Sequence, residues 1–82
     1  MLWHVYIIKC CDKTLYTGIT KDLKRRINEH NDGRGCRYTS GRWPVELIYS
    51  EKLSTKSKAL SRESQIKKLT RQAKIKLVNK FN

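Results

Sequence analysis

The sequence predicts an α+β fold of three strands and three helices. Three observations carry this. Residues 2–10 and 14–19 show the two-residue alternation of strands and are separated only by a short polar turn, the pattern of a β-hairpin. A third alternating stretch, 44–50, stands between segments of helical spacing. Two of the helical segments open on a short oxygen-bearing side chain that can accept from the orphan amides of a first turn, Thr20 or Asp22 for the first and Thr70 for the third.

In the first strand Leu2, Tyr6 and Ile8 share one face, and Trp3, Val5 and Ile7 share the other. Apolar residues on both faces predict a central strand covered on both sides. Asp12-Lys13 turns the chain. A two-residue loop pairing Cys11 with Thr14 puts Tyr6 and Tyr16 on opposite faces, whereas an odd-length loop or a bulge puts them on the same face. The pattern alone leaves both registers open. Gly18, late in the second strand, permits a close backbone approach or an unusual φ.

The first helix distinguishes its two adjacent arginines. With Leu23 at the origin and about 100° per residue, Ile27 falls near about 40°, His30 near about 340°, Arg26 near about 300° and Arg25 near about 200°. Leu23 and Ile27 then form the buried stripe, Arg26 and His30 stand on its edge, and Arg25 faces water. Residues 31–42 are rich in glycine and small polar residues and are expected to form a loop. In it Arg34 and Arg37 flank Tyr38, with Arg42 and Trp43 following, an interleaving that suits a nucleic-acid backbone with a stacked base. Tyr38 fits a stacking role and a core role equally; Trp43 is expected in the core, as large aromatics usually are.

Pro44 opens the third strand, where Val45, Leu47 and Tyr49 are expected on one face. The second helix, expected over 55–69, places Glu63 within the apolar arc of Ala59 and Ile66. A carboxylate there must be paired, protonated or bound to a metal, and Lys67 one turn on is within reach as an ion-pair partner. The third helix draws its apolar contacts from Ala73, Ile75, Leu77 and Val78, while Lys67, Lys68, Arg71, Lys74, Lys76 and Lys80 make this end densely positive.

The chain has 82 residues, 19 Lys and Arg against 7 Asp and Glu, and a formal net charge of +12. The length fits a single domain over 1–82 with one modest core. The charge points to a polyanionic partner. No apolar run approaches the ~20 residues of a membrane span, and the N-terminus lacks the features of a signal peptide. Three cysteines, Cys10, Cys11 and Cys36, have no zinc spacing and suit a reducing compartment, so a cytoplasmic location is expected.

Phosphodiester hydrolysis needs an activated water, charge stabilisation at the phosphoryl oxygens and help for the leaving group. The residues able to supply these are Tyr6, Tyr16, Arg26, His30 and Glu63. A phenol can hold or deprotonate a water if nearby positive charge lowers its pKa; Arg26 can clamp a phosphate; Glu63 can hold one Mg²⁺, which takes few protein ligands.

The order His4-Val5-Tyr6 and Tyr16-Thr17-Gly18, the run TKDLKRRINEH, the loop GRGCRYT, the strand PVELIYS and the helix ALSRESQIKKL together resemble the GIY-YIG nuclease superfamily in its small stand-alone bacterial type. The resemblance spans nearly the whole chain. It implies a three-stranded antiparallel sheet flanked by helices, and endonuclease chemistry dependent on a single Mg²⁺ or Mn²⁺ ion. It implies that Tyr6 and Tyr16 line one site and so share a face, that Arg26 is the helix arginine, that Glu63 is the metal ligand, and that His30 occupies a position often histidine. His4 stands where the first motif has glycine, and Thr17 where the second usually has an aliphatic residue.

The expected substrate is DNA, with RNA as the alternative, gripped by Arg34, Arg37, Tyr38, Arg42, Lys67, Lys68 and Arg71 and selected by its structure or by a targeting protein. The competing reading is a nucleic-acid-binding module without turnover.

Overall fold

A three-residue turn sets the register of the sheet. The computed structural model describes residues 2–33 and 41–81. Within them β1 (Trp3–Lys9) meets β2 (Leu15–Thr20) through Cys11-Asp12-Lys13. The Lys13 amide donates to the Cys10 carbonyl at 2.9 Å, and the Cys10 amide donates to the Thr14 carbonyl at 2.9 Å. Lys13 takes a φ of 69°, the left-handed residue that a three-residue hairpin loop needs. Asp12 holds the turn by accepting from the Thr14 amide at 3.1 Å and from its hydroxyl at 2.6 Å. The loop is therefore odd. Ile8 pairs with Tyr16 and Tyr6 with Gly18, so the two tyrosines share a face.

After the hairpin come α1 (Leu23–Asn31), β3 (Glu46–Leu53), α2 (Lys56–Lys67) and α3 (Arg71–Phe81). The sheet is antiparallel in the order β2-β1-β3, with β1 central as its two apolar faces predict. Asp22, Thr55 and Thr70 cap the three helices, each accepting a backbone amide at 3.1 Å from the residue three further on. Thr20 does not cap α1; its hydroxyl oxygen accepts the Asp22 amide instead.

Two cores sandwich the sheet. Val5, Ile7 and Tyr49 pack with Ala59, Ile66 and Val78 of α2 and α3. Tyr6, Ile8, Cys10 and Val45 pack with Tyr16 and with Leu23 and Ile27 of α1. This division corrects the single face expected for Val45, Leu47 and Tyr49. Ile7 pairs with Tyr49 but Ile8 pairs with Leu47, so a bulge at Ile48 sends Tyr49 to one side and Val45 to the other. β3 also starts later than residue 44. The Asn31 side chain takes the Val45 amide at 2.6 Å and donates to its carbonyl at 3.4 Å, so Val45 is tied to the end of α1 rather than to the ladder.

Two apolar side chains are more exposed than their pattern suggests. Trp43 is 45 % exposed and lies against Gly33, where an added Cβ would come within 3.3 Å of the ring. Ile75 points outward from α3, which reaches the core through Val78.

Thr17 presents its side chain to the α2 layer with its Oγ1 buried and without a hydrogen-bond partner among the described residues. A buried orphan hydroxyl costs about 1–3 kcal/mol. Thr17→Val keeps the shape and removes the orphan, so it is expected to raise Tm by about 4–8 °C for each ~1 kcal/mol recovered, read by thermal unfolding.

Candidate active site

The face of the hairpin covered by α1 gathers four polar side chains. β1 supplies Tyr6, β2 supplies Tyr16, and α1 supplies Arg26 and His30 one turn apart. The Tyr6 hydroxyl lies 2.9 Å from His30 Nε2. Arg26 Nε donates to the same hydroxyl at 3.4 Å. The Tyr16 and His30 rings meet edge to face with centroids 5.5 Å apart, and the two tyrosine rings stand 6.5 Å apart.

Gly18 makes this arrangement sterically feasible. It sits directly across from Tyr6, and a Cβ there would lie 2.6 Å from the phenol oxygen and 3.2 Å from the Tyr16 ring. Its role is close approach.

His30 departs from the wheel's expectation. It is fully buried rather than on the edge of the stripe, while Leu23 and Ile27 remain half-buried. The hydrogen bond from Tyr6 is what makes that burial tolerable. Burial and the Arg26 charge push the His30 pKa below the usual imidazole range, with Glu29 opposing them. Arg26 donates to the Tyr6 oxygen, and the direction of the bond between that hydroxyl and His30 Nε2 follows the tautomer of the ring.

The sign of the linkage follows. A histidine whose folded pKa is depressed contributes stability that is present above its unfolded pKa of about 6.5 and is lost as pH falls toward the folded value. The protein is expected to lose Tm as pH drops below about 6.5, and His30→Gln to flatten that dependence, measured by thermal melts across pH 4–8.

Arg26 is fixed at its other end by Glu29, Nη1 to Oε1 at 3.2 Å. Burial opposes its charge, but the bonds to Tyr6 and Glu29 outweigh it and hold the guanidinium more firmly protonated. Glu29 also pairs with Arg25 at 3.5 Å. Sequence reasoning did not single out Glu29; its position three residues after one arginine and four after the other is the signal that marks it.

Glu63 comes from α2, the layer on the opposite side of the sheet from the tyrosine hydroxyls. It is 18 % exposed and pairs with Lys67 at 3.5 Å, the i,i+4 partner the sequence offers. Among the basic residues expected to grip nucleic acid, Arg42 is ion-paired with Asp12 and Arg71 donates to the Lys13 carbonyl at 3.0 Å. Lys68 is exposed at the end of α2. Arg34, Arg37 and Tyr38 lie outside the described residues. His4, two residues before Tyr6 on the same strand face, is half-buried with Nδ1 lacking a hydrogen-bond partner among the described residues.

The model of the GIY-YIG catalytic domain matches residues 2–78 of this chain, through all three strands, α1, α2 and most of α3. The chain belongs to the GIY-YIG family. It is similar to a UPF0213 protein of Staphylococcus saprophyticus, 51 % identical over 76 residues and covering 93 % of both chains. A UPF0213 protein of Haloquadratum walsbyi is 53 % identical over 74 residues, spanning 90 % of this chain and 83 % of that one.

Solved structures agree with the fold. The solution structure of a UPF0213 protein from Bacillus halodurans matches with a TM-score of 0.62 at 40 % identity, covering 96 % of this chain and 84 % of the other. That of a protein from E. faecalis matches at 0.63 and 39 %, covering 94 % and 83 %. The family is a nuclease family, and the α+β fold with its three-stranded antiparallel sheet is the one these relatives share. No helix among the described residues is long and apolar enough to cross a membrane.

Proposed function

We propose that this GIY-YIG protein is a divalent-metal-dependent endonuclease or nickase acting on DNA, directed by the structure of its substrate or by a partner protein. The observation that carries this reading is the convergence of Tyr6, Tyr16, Arg26 and His30 on one sheet face in a chain of nuclease ancestry. Tyr6 is the proton acceptor for the attacking water. It does so as the phenolate, which the Arg26 guanidinium at 3.4 Å favours. Arg26 stabilises the phenolate as it forms and the charge on the phosphoryl oxygens. Tyr16, edge-on to His30, walls the site.

Glu63 is the residue we assign to the metal. Its partly exposed carboxylate is a hard oxygen donor, and its present partner, Lys67, holds it through a half-exposed pair that is weak. Among the described residues no group of three or more His, Cys, Asp or Glu side chains converges. That donor set fits Mg²⁺ or Mn²⁺, which are satisfied by one or two carboxylates and water. When bound, the ion supplies charge neutralisation at the phosphate.

The test is incubation of the purified protein with supercoiled plasmid, single strands and a branched duplex, in Mg²⁺, Mn²⁺ and EDTA. Metal-dependent nicking or cleavage of at least one substrate is expected. Salt-sensitive binding with no product on any of them, DNA or RNA, would favour the binding-module reading.

A further inference from the structure

Outside the four-residue cluster, one ring is surrounded by unpaired positive charge. Trp3 opens β1, half-buried against the α2–α3 core. The Lys21 ammonium lies 5.1 Å from its ring centroid and the Lys56 ammonium 5.5 Å from it. These lysines come from separate parts of the chain, the turn into α1 and the first residue of α2. Neither is ion-paired among the described residues, whereas Arg25, Arg26, Arg42, Arg62 and Lys67 all are. Bringing two ammonium groups to one ring costs repulsion, and a phosphate relieves it. The starts of two helices at this spot add to the positive potential.

The ring also belongs to a groove that reaches the candidate active site. A groove of about 380 Å³ runs from Trp3 and Ile19 past Lys21 and Arg25 to Arg26 and Glu29. The carboxylates on its wall are already engaged: Asp22 accepts the Arg25 amide as helix cap, and Glu29 holds both arginines. Lys21 is the cation on its wall with no ion pair among the described residues. At one end is the Trp3 ring, with Lys21 on the groove wall and Lys56 beside the ring; at the other is the guanidinium that touches Tyr6.

We propose that this groove is a nucleotide subsite for an unpaired stretch of the substrate strand, flanking the phosphate that Arg26 holds. Lys21 and Lys56 take the backbone phosphate, and the indole of Trp3 packs against the base. A stacking ring needs a base whose face is free, so the subsite selects single-stranded or frayed nucleic acid over continuous duplex. This rests on the nuclease reading above and narrows its substrate class.

The experiment uses the full chain carrying Trp43→Phe, which leaves Trp3 as the sole tryptophan. Its emission is titrated with a short oligothymidylate in EDTA, with anisotropy of a labelled oligonucleotide reporting binding independently. Saturating quenching by the single strand is expected. The Lys21→Ala, Lys56→Ala protein, its fold checked by circular dichroism, should need at least a tenfold higher concentration. Inorganic phosphate alone should leave the emission unchanged. Binding without quenching, equal quenching by phosphate, or equal affinity for a blunt duplex would each overturn the subsite. Cleavage is assayed in parallel. Metal-dependent cleavage without quenching refutes the subsite alone; quenching without cleavage on any substrate upholds the subsite and refutes the nuclease reading.

Discussion

The Tyr6→Phe protein is expected to cleave nucleic acid about 10²- to 10⁴-fold more slowly than the parent chain, the usual loss on removing a positioned acid–base group. The argument is geometric. The Tyr6 hydroxyl is bonded to both α1 residues, His30 Nε2 at 2.9 Å and Arg26 Nε at 3.4 Å. Phenylalanine preserves the ring, the burial and the packing against Tyr16. It removes the oxygen that is to take the proton of the attacking water. It also strands a buried imidazole nitrogen, so about 1–3 kcal/mol of stability should go with it. Rates are therefore compared at a temperature where circular dichroism reports both proteins folded. Equal rates there would remove Tyr6 from the chemistry and leave it as a structural partner of His30.

The second large effect is expected at Gly18, a residue with no side chain. An alanine methyl would fall 2.6 Å from the Tyr6 oxygen and 2.8 Å from Cζ. Tyr6 is 1 % exposed and bonded to His30, so the ring cannot simply swing away. Gly18→Ala should cost about 1–3 kcal/mol by overpacking, lowering Tm by roughly 4–8 °C per kcal/mol for a chain of this size. Cleavage should fall nearly as far as in Tyr6→Phe, because the phenol is pushed off its position. In the double variant the two losses should combine far short of additively, since both act through one hydroxyl. Full additivity would mean that Gly18 serves something other than Tyr6.

Much of this arrangement was legible before any coordinates. Alternation located three strands, and short polar side chains marked two helix starts, at Thr20 or Asp22 and at Thr70, of which Asp22 and Thr70 are the caps. The helical wheel separated Arg26 from Arg25, and the structure seats Arg26 on Tyr6 while Arg25 is left largely exposed. The shared face of Tyr6 and Tyr16 was not decided by the pattern, because it depends on whether the turn holds two residues or three. The left-handed Lys13, held by Asp12, settles it.

Other features are tertiary and leave no local trace. The bulge at Ile48 breaks an alternation that looked regular. His30 is buried because a tyrosine 24 residues away accepts it as a partner, which a wheel of one helix cannot register. Trp43 stays exposed because Val45 is drawn under α1 by Asn31 and the ring is left to lie over Gly33. The pairing of two lysines on the Trp3 ring exists only because the chain returns at residue 56 to the start of β1.

Glu63 is where the metal reading stands or falls, since its helix packs on the other side of the sheet from the tyrosines and its ion pair with Lys67 is an ordinary surface interaction. The measurement is cleavage of supercoiled plasmid, single strands and a branched duplex by the parent chain and by Glu63→Ala, in Mg²⁺ and in EDTA, with binding affinity measured alongside. The account predicts that Glu63→Ala binds as the parent does and cleaves no faster with Mg²⁺ than the parent does in EDTA. Undiminished Mg²⁺-dependent cleavage by Glu63→Ala would contradict it.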